Sequence, residues 1–169
     1  ALSLRRRNCQ SGLRHLPRLV SAPGVDDIEI RGLRQRLLRW GPPSESPIIL
    51  LHGFIDAAAT FQFLVDELPK DWSFVALDWR GFGESARQES SYWFPDYFAD
   101  LDALLELVSP EAPARLVGHS MGGNIALMYA GIRPQRVRAV ASLEGFGLPR
   151  APTAHAPERY ARWLDELRT

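Results

Sequence analysis

The sequence predicts an α/β fold in which helices flank a mostly parallel sheet. Short, continuous apolar runs recur along the chain, and such runs are typical of strands that are buried on both faces of a parallel sheet. Segments with apolar residues at helical spacing lie between these runs. Strands that alternate with helices at this spacing indicate a parallel, helix-covered sheet.

The elements follow one another from residue 26 onward. Residues 28–31 and 35–40 indicate two short strands that form a hairpin around Gly32, and residues 41–44 form a turn of glycine, proline and serine. After this turn, strands and helices alternate. We expect strands at residues 47–51, 73–77, 115–117 and 137–143, and helices at residues 60–68, 98–108 and 121–131.

Composition narrows the class of protein further. The 169 residues correspond to about one domain, and 46% hydrophobic with 24% charged residues fit a globular domain with a sizeable core. A formal net charge of zero gives no indication of a nucleic-acid partner. No apolar run approaches the ~20 residues that span a bilayer. The sequence also lacks a metal-ligand cluster and a phosphate-binding G-x-x-x-x-G-K motif, so we expect no metal and no cofactor.

Residues 1–25 differ in character from the rest of the chain. They contain five arginines and no acidic residue, and we expect them to form a disordered basic leader or an artefact of where the sequence was cut. An organellar transit peptide is the alternative, because such peptides are rich in arginine and poor in acids. Cys9 is the only cysteine, so no internal disulfide can form, and we expect a reducing compartment such as the cytoplasm.

A glycine-flanked serine is the strongest chemical signal in the chain. Residues 118–122 read Gly-His-Ser-Met-Gly and match the pattern G-x-S-x-G between a predicted strand and a predicted helix. A serine hydroxyl is almost never ionised at neutral pH, so it needs a base for its proton and donors that stabilise the resulting oxyanion. We predict that Ser120 is the nucleophile and that the Met121 amide is one oxyanion donor. The alternative is a serine in an ordinary strand–helix turn.

Two further motifs follow predicted strands. Residues 50–54 read Leu-Leu-His-Gly-Phe, and residues 78–85 read Asp-Trp-Arg-Gly-Phe-Gly-Glu-Ser. With the Gly-His-Ser-Met-Gly-Gly elbow, all three motifs lie at the carboxyl ends of strands, the edge at which open α/β sheets build their sites. On these motifs the chain resembles the serine-nucleophile branch of the α/β-hydrolase family from about residue 28 to residue 148.

The resemblance implies an α/β-hydrolase fold and roles for several residues. It makes the backbone amide of Phe54 the second oxyanion donor, with His52 and Gly53 shaping that loop. We expect His52, and His119 within the elbow, to be structural rather than catalytic. The resemblance also implies that the neighbouring loop is braced by Asp78, Arg80, Gly81 and Gly83.

The type of nucleophile limits the classes of reaction that the site could catalyse. Epoxide hydrolases and haloalkane dehalogenases that resemble this chain carry aspartate at the elbow, where a carboxylate attacks an alkyl carbon. A serine alkoxide suits an acyl carbonyl, so Ser120 favours a small ester-like substrate that is hydrolysed through an acyl-enzyme intermediate. C–C-bond hydrolases and cofactor-free perhydrolases of the family also use serine and are alternatives. Candidates for an apolar pocket, or equally for the core, are Phe54, Met121, Phe146 and Trp163.

The base is missing from its expected place. The family's order is Ser, then Asp or Glu, then His, and the only histidine after Ser120 is His155. We expect His155 to be a cap or linker residue, because the chain has reached only the sixth of about eight strands by residue 143. Residues 26–148 are thus predicted to be the N-terminal part of the core, and residues 149–169, which carry an apolar helical stripe, the start of a cap.

The acid has one candidate in this chain. Glu144 directly follows the predicted strand 137–143, where some haloalkane dehalogenases of the family carry a glutamate. The alternatives are an acid beyond Thr169, or a strand-end glutamate that bonds the elbow loop or packs beneath the cap. Two hypotheses follow. Either the complete protein is a serine hydrolase and this chain alone is inactive, or the chain is a non-catalytic remnant or binding module that kept the elbow.

Overall fold

The computed structural model describes residues 22–88 and 92–145, together with the isolated positions 154, 157 and 161. Strands and helices alternate along this part of the chain. The strands are β1 (Gly24–Ile30), β2 (Leu33–Trp40), β3 (Ile48–Leu51), β4 (Phe74–Leu77), β5 (Ala114–His119) and β6 (Val137–Leu143). The helices are α1 (Gln62–Glu67), α2 (Phe94–Val108) and α3 (Met121–Ile132), with short 3-10 helices at Ala58–Phe61 and Pro134–Arg136.

A single sheet joins these strands in the order β1-β2-β4-β3-β5-β6. The four strands β4, β3, β5 and β6 are parallel, and β1 and β2 extend the sheet in antiparallel pairing beyond β4. The predicted mostly parallel, helix-flanked α/β fold is therefore confirmed. The chain runs from β3 to β4 on one side and then to β5 on the other, so a crevice forms at the carboxyl ends of β3 and β5.

The sheet is buried on both faces at its centre. In β3, Ile49 and Leu51 join the larger apolar cluster with α2 and α3, whereas Leu50 joins a second cluster with the α1 segment. All three side chains are fully buried. Burial on both faces therefore explains the continuous apolar run at residues 47–51, because neither face at the centre of this strand contacts water.

The hairpin between β1 and β2 turns through two residues. Arg31 and Gly32 have φ values of 52° and 77°, as a two-residue turn of the mirror-image type requires. Ile30 pairs with Leu33 across it. The position of the predicted hairpin is correct, but its first strand begins at Gly24, four residues before the predicted start at residue 28.

The early start of β1 has a clear cause. Gly24 pairs with Arg39, and Asp26 forms an ion pair with Arg39 at 2.7 Å, so the full length of β2 supports β1. Most side chains of β1 are exposed, as expected for an edge strand. An exposed edge strand lacks the apolar run by which the other strands were recognised.

The strand β6 forms the opposite edge of the described sheet. It pairs with β5 on one side, and none of its side chains is buried. Leu143 at its end is 43% exposed. Within residues 22–88 and 92–145 no strand pairs with the outer side of β6. The described part therefore has six strands of an incomplete fold.

Several predictions concern residues outside the described part. These are the cap at residues 149–169 apart from the isolated positions 154, 157 and 161, most of the basic leader, and the residues His155, Phe146 and Trp163. In place of the predicted helix at residues 60–68, the structure has the 3-10 turn Ala58–Phe61 followed by α1, so only Gln62–Glu67 are α-helical. In the part of the chain that the structure describes, no helix is both long and apolar enough to cross a membrane.

Candidate active site

Ser120 lies on a strained turn between β5 and α3. Its backbone adopts φ 48° and ψ −112°, a region that residues with side chains rarely occupy. The Ser120 N–H donates to the Leu143 carbonyl oxygen at 2.8 Å, and the Asn124 N–H donates to the Ser120 carbonyl oxygen at 3.0 Å. The turn is thus held on one side by the end of β6 and on the other by the first turn of α3.

The glycines around Ser120 are required by close packing. A Cβ at Gly122 would overlap the carbonyl oxygen of Leu51, and a Cβ at Gly118 would overlap the backbone of Gly122. At Gly123 a Cβ would lie 2.7 Å from the Ser142 Oγ. The first turn of α3 therefore lies directly against the ends of β3 and β6. This approach places Ser120 at the crevice, and it explains in steric terms why small residues surround the serine.

The loop after β3, residues 52–57, lies beside Ser120, and we call it the oxyanion loop. A Cβ at Gly53 would lie 3.4 Å from the Ser120 Cβ, so the two backbones are in near contact. Among the hydrogen bonds within residues 22–88 and 92–145, none uses the backbone N–H of Phe54 or Met121 as donor. Met121 is the first residue of α3, where an N–H lacks an intrahelical partner and the helix dipole is positive.

His52 is a structural residue of the oxyanion loop. Its ring is fully buried, the Trp79 N–H donates to Nε2 at 2.9 Å, and Nδ1 lies 2.8 Å from the Gly53 carbonyl oxygen. This pattern requires a neutral ring with its proton on Nδ1. The Trp79 indole N–H donates in turn to the His52 carbonyl oxygen at 3.1 Å. Burial lowers the pKa of His52.

Acidification should therefore destabilise the fold through His52. Because the pKa of the buried ring lies below that of the unfolded chain, the unfolded chain binds more protons as the pH falls through about 6.5, and stability decreases. The free energy of unfolding, measured with urea at several pH values in the full-length protein, should rise with pH across this window. His52→Gln keeps an acceptor for the Trp79 N–H but does not titrate, so its profile should be flatter. Identical profiles would contradict the prediction.

Asp78 joins the oxyanion loop to the loop after β4. One carboxylate oxygen accepts the Ala58 N–H at 2.6 Å, and the other accepts the Glu84 N–H at 2.9 Å. A Cβ at Gly83, whose φ is 51°, would overlap this carboxylate. The family-based expectation that Asp78 and Gly83 brace the neighbouring loop is consistent with these contacts. The carboxylate is buried, so both bonds are shielded from water.

Arg80 anchors the same loop to α2 through a buried ion pair. Its Nε and Nη2 donate to the two carboxylate oxygens of Asp100 at 2.6 and 2.5 Å. The side chains of Arg80 and Asp100 are 3% and 0% exposed. The hydrogen bonds to Asp100 raise the pKa of the Arg80 guanidinium. Gln35 donates a further bond to Asp100 at 3.1 Å, which connects β2 to this pair.

An apolar wall borders the oxyanion loop. The rings of Phe54 and Phe82 meet edge to face at 5.6 Å, and Phe82 meets His52 in the same way at 5.7 Å. Phe54 is 66% exposed. Ile55, which is 81% exposed, and Phe82 line an open recess of about 500 Å³. The exposed rings therefore form an apolar surface on this side of the oxyanion loop.

The ring of His119 lies between two carboxylates. Its Nδ1 is 3.8 Å from Asp56 Oδ2, and its Nε2 is 3.8 Å from Glu144 Oε2. Glu144 follows β6 directly, as predicted, but its side chain is 81% exposed. The structure therefore brings together Ser120, the oxyanion loop and the proposed acid. His155 lies outside the described residues, and so does any contact between it and this cluster.

Sequence reasoning did not identify Asp56 and Asp100. Asp56 belongs to none of the three sequence motifs. It becomes a candidate site residue only because the structure places it 3.8 Å from His119, the residue before Ser120. For Asp100 the sequence does contain an indication, because this residue lies on α2 beside the buried Tyr97, Leu101 and Leu104. A carboxylate on the apolar face of a helix requires a buried partner. Within residues 22–88 and 92–145 no group of three or more His, Cys, Asp or Glu side chains could hold a metal ion.

The fold and the site together define a class of protein. A parallel sheet, a serine on a strained strand–helix turn and a glycine-containing loop at the next strand end characterise hydrolases of the α/β type. The chain matches the family described as alpha/beta hydrolase fold over residues 46–168. It belongs to this family.

Relatives within the family differ in their described activities. A serine hydrolase-like protein from Danio rerio is 40% identical over 64% of this chain, and epoxide hydrolase A from Mycobacterium tuberculosis (strain ATCC 25618 / H37Rv) is 33% identical over 78% of it. This chain covers 33% and 42% of their lengths. The thioesterase domain from the curacin biosynthetic pathway superposes with a TM-score of 0.72 at 28% identity, covering 86% of this chain and 53% of that domain. These similarities support a hydrolase.

Proposed function

We propose that the protein is a serine hydrolase that cleaves an ester-type acyl bond through an acyl-enzyme intermediate. The observation that carries this proposal is the strained backbone of Ser120 at the start of α3, beside an oxyanion loop whose Phe54 N–H has no acceptor within the described residues. In the proposed arrangement, the Ser120 hydroxyl and the N–H groups of Phe54 and Met121 would act on the same carbonyl group. The chemistry requires both.

The proposed reaction follows the usual order of acyl transfer. The Ser120 Oγ attacks the carbonyl carbon as a base accepts its proton, and the carbonyl oxygen becomes an oxyanion. The N–H groups of Phe54 and Met121 would stabilise this charge. The leaving group departs with a proton from the base, and water then attacks the acyl-enzyme to release the acid and restore Ser120. The base in this scheme lies outside the described residues.

The residue at the elbow distinguishes this proposal from epoxide opening. An epoxide hydrolase is among the relatives, but the residue between His119 and Met121 is serine here. A serine alkoxide suits acyl carbonyls, and the positive end of α3 stabilises an oxyanion that forms next to it. The apolar wall at Phe54 and Phe82 is consistent with an apolar acyl or leaving group next to the reacting carbon.

Covalent labelling tests the proposed function directly. A fluorophosphonate probe should label the full-length protein that contains this chain, and Ser120→Ala should abolish labelling. A screen of p-nitrophenyl esters of increasing chain length would then define the acyl preference. A full-length protein that takes up no probe and turns over no ester would favour a non-catalytic binding module.

Glu144 provides a separate test of the acid. If its carboxylate orients the base, Glu144→Gln should lower turnover of the full-length protein by about 10-fold or more, because the amide cannot stabilise a cationic imidazole. The matched control is Glu111→Gln, an exposed position before β5, at the amino-terminal end of the parallel strands and thus at the opposite end from Ser120. An unchanged rate in Glu144→Gln would assign the role of the acid to a different residue.

A further inference from the structure

The oxyanion loop rests on the ring of His119. A Cβ at Gly53 would lie 3.1 Å from His119 Nδ1 and 3.5 Å from Cε1, so the ring forms the surface on which the Gly53 backbone lies. These distances also explain why position 53 carries glycine, because a side chain there would press on the ring. Phe54 follows Gly53 directly, and its amide is the proposed oxyanion donor. The position of this amide therefore depends on the residue before the nucleophile.

The same ring faces the far end of the oxyanion loop. Asp56 lies 3.8 Å from His119 Nδ1 and accepts the Ala57 N–H at 2.8 Å and the Thr60 hydroxyl at 3.2 Å. Asp56 thus connects the His119 ring to the beginning of the 3-10 turn. On the other side, Nε2 faces Glu144 at the same distance. Each ring nitrogen has a different carboxylate partner, so the two contacts can be separated by substitution.

We propose that His119 is a positioning residue that sets the Phe54 amide against Ser120, through its ring under Gly53 and its Nδ1 beside Asp56. The proposal rests on the proposed acyl-transfer function. It assigns no proton transfer to His119. Gly53 and Asp56, near the two ends of the loop, both lie beside one side chain of β5, and Ser120 follows β5 directly, so donor and nucleophile share one support.

Two amide substitutions at His119 test the roles of the two ring nitrogens separately. The side-chain amide of asparagine reaches the place of Nδ1, and that of glutamine reaches the place of Nε2. In the full-length protein, His119→Asn should therefore retain most of kcat. His119→Gln and His119→Ala should lower kcat by about 10- to 100-fold with little change in KM, because oxyanion donors act mainly in the transition state. A phosphonate or boronate analogue of the tetrahedral intermediate should lose affinity in parallel with kcat.

A double-variant cycle tests the connection through Asp56. If His119 acts through Asp56, then Asp56→Ala combined with His119→Gln should cost no more than the larger single effect. Asp71→Ala is the matched control, because Asp71 is exposed in the turn before β4, away from the oxyanion loop, and its kcat should remain near that of the wild type. Equal losses in the Asn and Gln variants, or additive losses in the cycle, would overturn the proposal. Absence of Ser120-dependent turnover in the wild type would overturn the proposed function as well.

Discussion

Replacing Ser120 with alanine should reduce ester turnover of the full-length protein by about 10³-fold or more. The substitution removes the nucleophilic oxygen but leaves the backbone hydrogen bonds of the turn to Leu143 and Asn124 in place. Alanine and serine bear the same strain at a φ of 48°, so the fold should survive. The residual rate would come from the oxyanion donors alone.

A serine-to-alanine substitution away from the site is the control for Ser120→Ala. Ser44 is exposed in the turn before β3, and Ser44→Ala should leave turnover and probe labelling unchanged. Steady-state rates on a p-nitrophenyl ester, thermal unfolding and probe labelling should be recorded for both variants. Normal turnover by a folded Ser120→Ala protein would remove the proposed nucleophile, and with it the proposed acyl-enzyme.

Asp100→Ala should destabilise the fold by about 3–5 kcal/mol, because it removes the buried carboxylate that accepts two hydrogen bonds from the buried guanidinium of Arg80. The substitution removes the bonds of 2.6 and 2.5 Å to Arg80 and the bond to Gln35. It thereby removes the contacts of this carboxylate with β2 and with the loop after β4, while the contacts of Asp96 with Arg31 and Arg80 remain. Urea unfolding of the full-length protein measures the loss as a fall in the midpoint concentration.

Asp96 supplies the control for Asp100. Its carboxylate lies 3.6 Å from Arg80 and 3.1 Å from Arg31, but it is 23% exposed, so Asp96→Ala should cost about 1 kcal/mol or less. The double variant Arg80→Met with Asp100→Leu should recover a large part of the loss, since it leaves no buried charge. Equal effects of the two aspartates would show that burial is not the cause.

The motifs around the nucleophile allowed much of the site to be predicted from the sequence. The glycines at 118 and 122 indicate places where two backbones lie too close for a Cβ atom. In the structure, Gly118 of β5 lies against α3, and Gly122 of α3 lies against β3. The apolar run in β3 likewise indicates a strand that is buried on both faces. In each case the residue types of a short stretch indicate the environment, although the partner, such as Leu51 for Gly122, is distant in the chain. The assignment of Ser120, Phe54 and Met121 to acyl transfer remains a prediction.

The sequence by itself determined the fold class, the order of most elements and the position of the strained serine, because local sterics and hydropathy encode them. Only the tertiary structure decided which distant groups meet. Arg80 and Asp100 are 20 residues apart, and Gln35 and Asp100 are 65 residues apart. The contact of His119 with Asp56 and the early start of β1 also depend on strands that pair across the sheet. Such contacts arise from the packing of whole elements, which no local pattern of residues specifies.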